Sequence, residues 1–284
     1  MKETALSSAL RETALTVDVE IICIGNELLI GKIENTNAHW IATQATTLGA
    51  NVKRITVIQD IVEEIAATIN EVVARKPQFI ITTGGLGPTF DDKTFQGVAK
   101  ALNQKLEVNQ VALEMVKAKT IEYLKKRGMP TQVELTPPRV KMATYPQNTE
   151  PVANPVGTAP GLQAVIGGVT LFALPGVPRE MEAIFIATIA PLIKAAVGTG
   201  VFCEKSIFVN NIFESRLAPL IDRVMSDNSG VYIKSHPLLS DSNPHIELHL
   251  TMVADREQNP AQALQKAAKE LAALIKANGG SVHS

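Results

Sequence analysis

The chain has 284 residues, long enough for two domains. Its 27 Lys and Arg against 28 Asp and Glu give a net charge of -1, so no basic field exists for non-specific nucleic-acid binding. Hydrophobic residues at 45% and charged residues at 19% describe a globular chain with a sizeable core, and no apolar run is long enough to span a membrane.

Residues 1–18 contain no long apolar segment and are expected to form an amphipathic or frayed extension rather than a signal peptide. From Val19, strand-like and helix-like patterns alternate. "VEIICIG" is an apolar run of strand length that stops at Gly25. "NTNAHWIATQATTLG" carries Asn caps before a helical pattern and Gly49 after it. "NVKRITVIQD" alternates like a strand. "IVEEIAATINEVVAR" has apolar positions at helical spacing and is followed by Pro77. "QFIITT" is the next buried strand, and "DDKTFQGVAKAL" and "NQVALEMVKAKTIEYLKKRG" read as helices. "LQAVI" and "VTLFAL" form a strand pair around Gly167 and Gly168, and "PREMEAIFIATIAPLIKAAV" is helical despite Pro191. Apolar strands alternating with amphipathic helices predict an α/β fold with a mostly parallel sheet covered on both faces. Ligands of such sheets sit outside the strand C-terminal ends.

"VGTG", Val197 to Gly200, marks a boundary. The domains expected are 19–199 and 200–284. Beyond the boundary the order is β-α-β-β-α, a small α+β domain. Cys23 and Cys203 both lie in apolar runs and are expected as buried, reduced thiols, which suits a cytoplasmic protein. His245 and His249 would share a strand face, but no third ligand is evident and a metal there is disfavoured.

The chemistry concentrates in "IITTGGLGPTFDD". Gly84, Gly85 and Gly87 let the backbone turn tightly and approach a ligand. Together with Leu86, Pro88 and Thr89 they form a phosphate-binding loop between a strand end and a helix N-terminus. Asp91 and Asp92 fall at that N-terminus. Either alone is explained as a cap. Two beside a phosphate implicate a divalent metal between the charges. The loop is neither G-x-x-x-x-G-K-[ST] nor G-x-G-x-x-G, which disfavours a kinase-type NTPase and a dinucleotide oxidoreductase. Three further loops share its small-residue composition: "GNELLIGKIENTN" with Glu27 and Asn37, "NPVGTAPG" with Asn154, Gly157 and Thr158, and "LPGVPREM" with Gly176 and Arg179.

These four motifs, in this order, resemble those of the CinA family, whose N-terminal module belongs to the wider MoaB/Mog molybdopterin-binding fold. The resemblance covers about Val19 to Val197, and the remainder is similar to the small KH-like domain that follows this module. It implies a three-layer α/β/α sandwich that self-associates into a dimer or higher oligomer. It also implies metal-dependent hydrolysis of ADP-ribose to AMP and ribose 5-phosphate, with Mg, Mn or Co. Asp92 and Asp60 take the family's acidic positions as metal ligands, with Asp91 beside them and Glu27 as base or further ligand. Asn37 and Asn154 are candidates for sugar or base edges, and Arg179 for a phosphate. The nicotinamide mononucleotide deamidase domain of longer relatives is not expected. The last domain lacks the G-x-x-G loop that RNA-binding KH modules use, so nucleic acid is not an expected partner. Two readings stay open beside the hydrolase: a molybdopterin- or nucleotide-binding protein without turnover, and a molybdopterin adenylyltransferase.

Overall fold

The computed structural model describes residues 17–238 and 245–283. The expected extension over residues 1–18 lies almost wholly outside them. Two compact units form, the first ending at Val197 and the second comprising the chain from Gly198 together with Thr47–Gly49. In chain order the first holds β1 (Asp18–Ile24), α1 (Asn26–Leu29), α2 (Thr36–Thr47), β2 (Asn51–Ile58), α3 (Val62–Arg75) and β3 (Phe79–Thr83). Then come α4 (Thr94–Ala101), β4 (Leu106–Val108), α5 (Gln110–Lys126), α6 (Pro137–Lys141), β5 (Thr144–Pro146) and β6 (Glu150–Val152). The unit closes with β7 (Gly161–Ile166), β8 (Val169–Leu174), α7 (Pro178–Ile184), a π-helical turn (Phe185–Ile189) and α8 (Ala190–Val197).

Its sheet has the order β2-β1-β3-β8-β7-β6. β2, β1, β3 and β8 run parallel, while β7 pairs antiparallel with both β8 and β6 and is the one reversed strand of this sheet. The fold is therefore the expected three-layer α/β/α sandwich, with a mixed, mostly parallel sheet. Successive residues of β1 and β3 point to opposite faces, yet Ile21, Ile22, Ile80 and Ile81 are all fully buried. Helices must therefore cover both faces, which is why these strands read as continuous apolar runs. Ile22 and Ile80 pack with Ile65, Ile69 and Val72 of α3 and Val116 of α5. Glu20 is the polar exception in β1. It is 3% exposed, and Arg75 holds it with two hydrogen bonds of 2.8 and 2.6 Å. A buried carboxylate needs such a bidentate partner.

The helix ends follow local chemistry. Asn35 caps α2 by accepting from the Ala38 amide, and Asn109 caps α5 by accepting from the Ala112 amide. The long helix after β8 reaches Pro191 through the π turn. The wider turn just ahead of the proline suits a residue that has no N–H and would crowd the preceding carbonyl. One expected helix starts late: α4 begins at Thr94, three residues after Asp91, and its N-cap residue is Lys93. The strands β4, β5 and β6 are three residues each, too short to leave a period in the sequence.

The second unit is a four-stranded antiparallel sheet, ordered β10-β11-β9-β12, with two helices. It runs β9 (Gly200–Asn210), α9 (Glu214–Asp227), β10 (Tyr232–Leu238), β11 (His245–Asp255), α10 (Pro260–Ala277) and β12 (Ser281–His283). Ile207, Val209, Ile246, Leu248 and Leu250 form its core with Leu217, Ile221, Leu264 and Leu271 from the helices. His245 and His249 lie on the other face and are occupied within the protein. His245 stacks on Phe208 with ring centres 5.9 Å apart, and His249 contacts Glu204 at 3.1 Å. Both cysteines are free: Cys23 is buried, which pushes its thiol pKa up, while Cys203 is only half-buried, short of the burial expected. Among the described residues no helix is long and apolar enough to cross a membrane.

Candidate functional site

The parallel strands point their C-terminal ends at one edge, and the residues that follow them line a cavity of about 690 Å³. Glu27 follows β1, Asp60 follows β2, Gly84 to Thr89 follow β3, and Gly176 follows β8. Asn37, Asp91, Asp92 and Thr158 complete the set of expected residues that line it. Asn154, Gly157 and Arg179 do not line it. Arg179 is exposed on the first turn of α7. Asn154 is 4% exposed, a buried loop residue; its amide donates to Ala159 O at 2.8 Å and to Glu180 Oε2 at 2.6 Å.

The glycine loop is held shut from several sides. Gly84 has φ +109°, and a Cβ there would stand 2.0 Å from the Ile24 carbonyl oxygen. The Thr94 hydroxyl donates to Gly84 O at 2.7 Å. Neither Asp91 nor Asp92 caps α4, contrary to the simplest explanation of each. Asp92 Oδ2 accepts from the Thr89 amide at 2.8 Å and from the Thr89 hydroxyl at 2.6 Å. The same hydroxyl also contacts Asp91 Oδ1. One hydroxyl proton thus faces two carboxylates, and the turn before α4 closes on side chains instead of on a cap. The hydrogen bond from Thr89 holds the Asp91 carboxyl below the usual carboxylate range, assisted by Lys141 and Lys93.

Lys141 is the clasp that sequence reasoning missed. Its ammonium donates to the carbonyls of Gly87, Thr89 and Asp92 at 3.1, 2.6 and 2.7 Å. It lies 49 residues from Asp92, and only the placement of α6 beside the loop brings it there. Lys141→Met is expected to cost about 1–2 kcal/mol of stability, since three charge-assisted bonds go while water reaches part of the gap. Urea titration measures it; an unchanged midpoint would mean that the clasp carries no load.

Asn37 joins two strand ends. Its amide donates to Thr83 Oγ1 at 3.0 Å and Gly176 O at 2.9 Å, which fixes which end is nitrogen. Its Oδ1 is buried and has no hydrogen-bond partner among the described residues.

Acidic groups dominate the lining: Glu27, Glu34, Asp60, Asp91, Asp92 and Glu180, against Arg139 as the one basic residue among the described residues that line it. Asp60 Oδ2 accepts from the Asn26 amide at 2.9 Å. Burial raises its pKa, and the charges of Glu27, Asp91 and Asp92 raise it further against that hydrogen bond. The folded chain therefore binds this proton more readily than the unfolded chain. Asp60 subtracts stability above its raised folded pKa, and the deficit disappears below the ordinary carboxylate range. In the presence of a chelator, Asp60→Asn is expected to melt higher than the parent at pH 7, with the gap closing toward pH 3. A lower melting temperature at pH 7 would contradict the electrostatic account.

These carboxylates suit a divalent cation that arrives with a phosphate. Among the described residues no group of three or more His, Cys, Asp or Glu is placed to hold an ion alone. Mg²⁺ does not require one, because it keeps several waters and takes one or two carboxylates plus substrate phosphates. Asp60 and Asp92 are the residues that would hold it.

Residues 20–195 match the family described as "Probable molybdopterin binding domain". A protein of Pyrobaculum calidifontis is 44% identical over 257 residues, covering 90% of this chain and 95% of that protein. One from Aeropyrum pernix is 42% identical over 264 residues, covering 92% and 95% respectively. The crystal structure of "the protein CinA with unknown function" from Thermoplasma acidophilum is 40% identical with a TM-score of 0.55, covering 63% of this chain and 99% of that one. The chain belongs to the molybdopterin-binding-domain family, and within it is similar to CinA.

Proposed function

We propose that the cavity binds a nucleotide diphosphate together with a divalent cation and hydrolyses the diphosphate, with ADP-ribose as the first substrate to test. The observation that carries this reading is the meeting of a glycine loop and a lining rich in carboxylates at one strand edge. Such a lining repels phosphate unless a cation lies between. When bound, the cation neutralises charge that develops on the phosphoryl oxygens. The amides of the loop hold the diphosphate. Glu27, folded over Gly25 on the short helix α1, takes a proton from water. The water oxygen bonds to one phosphorus, the bridging P–O bond breaks, and AMP and ribose 5-phosphate leave.

The test is AMP release from ADP-ribose by the purified chain in Mg²⁺, Mn²⁺ and Co²⁺. The family description, a molybdopterin-binding domain, supports the binding part of a second reading, in which the chain holds a molybdopterin or nucleotide without turnover. Ligand affinity with no AMP under any metal selects that reading.

A further inference from the structure

Glu180 has no task in that reaction, yet two of the sequence motifs converge on it. Asn154, from "NPVGTAPG", is 4% exposed and uses every polar group it has. Its Oδ1 accepts from the Val156 and Gly157 amides at 3.1 and 2.8 Å, and its amide donates to Ala159 O and to Glu180 Oε2. The amide cannot turn without losing those bonds, so the carboxylate it holds is fixed. Gly157 is a glycine because of the same carboxylate: a Cβ there would stand 2.0 Å from Glu180 Cδ. Lys119 of α5 donates to Pro155 O at 2.6 Å and anchors the loop from the other side.

The anchored group is an acceptor without a cation. Among the described residues no ion pair reaches Glu180, and its Oε1 has no hydrogen-bond partner there. It lines the cavity beside Thr158, Ala159 and Pro178. A carboxylate repels phosphate, so this wall does not hold the diphosphate. It does adjoin the diphosphate end, because Gly176, four residues earlier, accepts from Asn37, which also holds Thr83 at the start of the glycine loop. The ligand group next to a bound diphosphate is its pentose, whose neighbouring hydroxyls are the donors a fixed carboxylate takes. We infer that Glu180, pinned by Asn154 against Gly157, accepts hydrogen bonds from the vicinal hydroxyls of a pentose joined to the bound diphosphate. The inference rests on the diphosphate-binding reading but not on turnover.

Equilibrium binding of ADP and 2′-deoxy-ADP to the full chain in Mg²⁺ tests it. The parent is expected to prefer ADP by about tenfold to a hundredfold, the size of a charge-assisted hydrogen bond. Glu180→Gln is expected to bring that ratio near one. Gly157→Ala keeps the charge but pushes the head group off its seat, and is expected to do the same, so either folded variant decides. Equal affinity for both nucleotides in the parent, an unchanged ratio in Glu180→Gln, or no binding of either at millimolar concentration overturns the inference. Preference for ADP without AMP release from ADP-ribose would sink the hydrolase reading and leave this one standing. Equal binding with AMP release would do the reverse.

Discussion

Asp92→Asn is expected to lower metal-dependent AMP release by about a hundredfold to ten-thousandfold while the fold stays intact. The two effects separate because the proposed reaction gives the carboxylate a second job beside its structural one. Its Oδ2 closes the turn by accepting from the Thr89 amide and hydroxyl. An asparagine oxygen accepts the same bonds, and Lys141 still grips the loop through main-chain carbonyls. The stability cost is therefore about 1 kcal/mol or less. The charge, however, is gone. A lost anionic ligand beside a transferring phosphoryl group removes several kcal/mol of transition-state stabilisation, and each 1.36 kcal/mol is about tenfold in rate. Asp91→Asn should be milder, because Asp91 touches only the Thr89 hydroxyl and is open to water. Rates and melting temperatures of the two variants, measured side by side, are the check. If Asp91→Asn abolishes turnover and Asp92→Asn does not, the cation sits on Asp91. If both variants keep near-parental rates, neither carboxylate holds a catalytic metal.

Gly84→Ala is expected to be the most destabilising single substitution in the loop, by about 3–5 kcal/mol. Two costs add. A non-glycine residue at this positive φ is strained by about 1–3 kcal/mol. The new Cβ also stands 2.0 Å from the Ile24 carbonyl oxygen, a main-chain atom of β1 that cannot swing aside. At about 2–4 °C per kcal/mol for a domain of this size, the melting temperature should fall by about 6–20 °C. Ligand affinity should fall with it, since the loop must leave the end of β3. Gly128→Ala is the control: φ is +65° there and nothing lies within 4 Å of the added Cβ. It should cost only the strain, about 1 kcal/mol. Equal losses at the two positions would show that the close approach of β1 to Gly84 is unimportant.

The sequence alone determined the sheet's core strands and the edge where the glycine loop and the acidic residues gather. Apolar runs such as "VEIICIG" and "QFIITT" announce burial on both faces, because no polar side is left to face water. Small residues where those runs stop announce a main chain that must come close to something. Both signals are local, and the strands β1 and β3 and the loop Gly84–Thr89 stand where they placed them. Family membership was legible for the same reason, since four short motifs in fixed order carry it. What tertiary structure decided is how distant residues are used. Asp91 and Asp92 precede a helix and look like caps; the fold turns them back onto Thr89, so α4 starts three residues beyond Asp91. Lys141 carries no motif at all, and acts on the loop only because α6 packs beside it. Arg179 and Glu180 are neighbours in one motif, and a preference for cations near phosphate selects the first. The turn of α7 leaves Arg179 in solvent and points Glu180 at Asn154, 26 residues away. A local pattern reports which residues must be small, apolar or charged. Which charge meets which partner depends on contacts closed across tens of residues, and those exist only once the sheet has assembled.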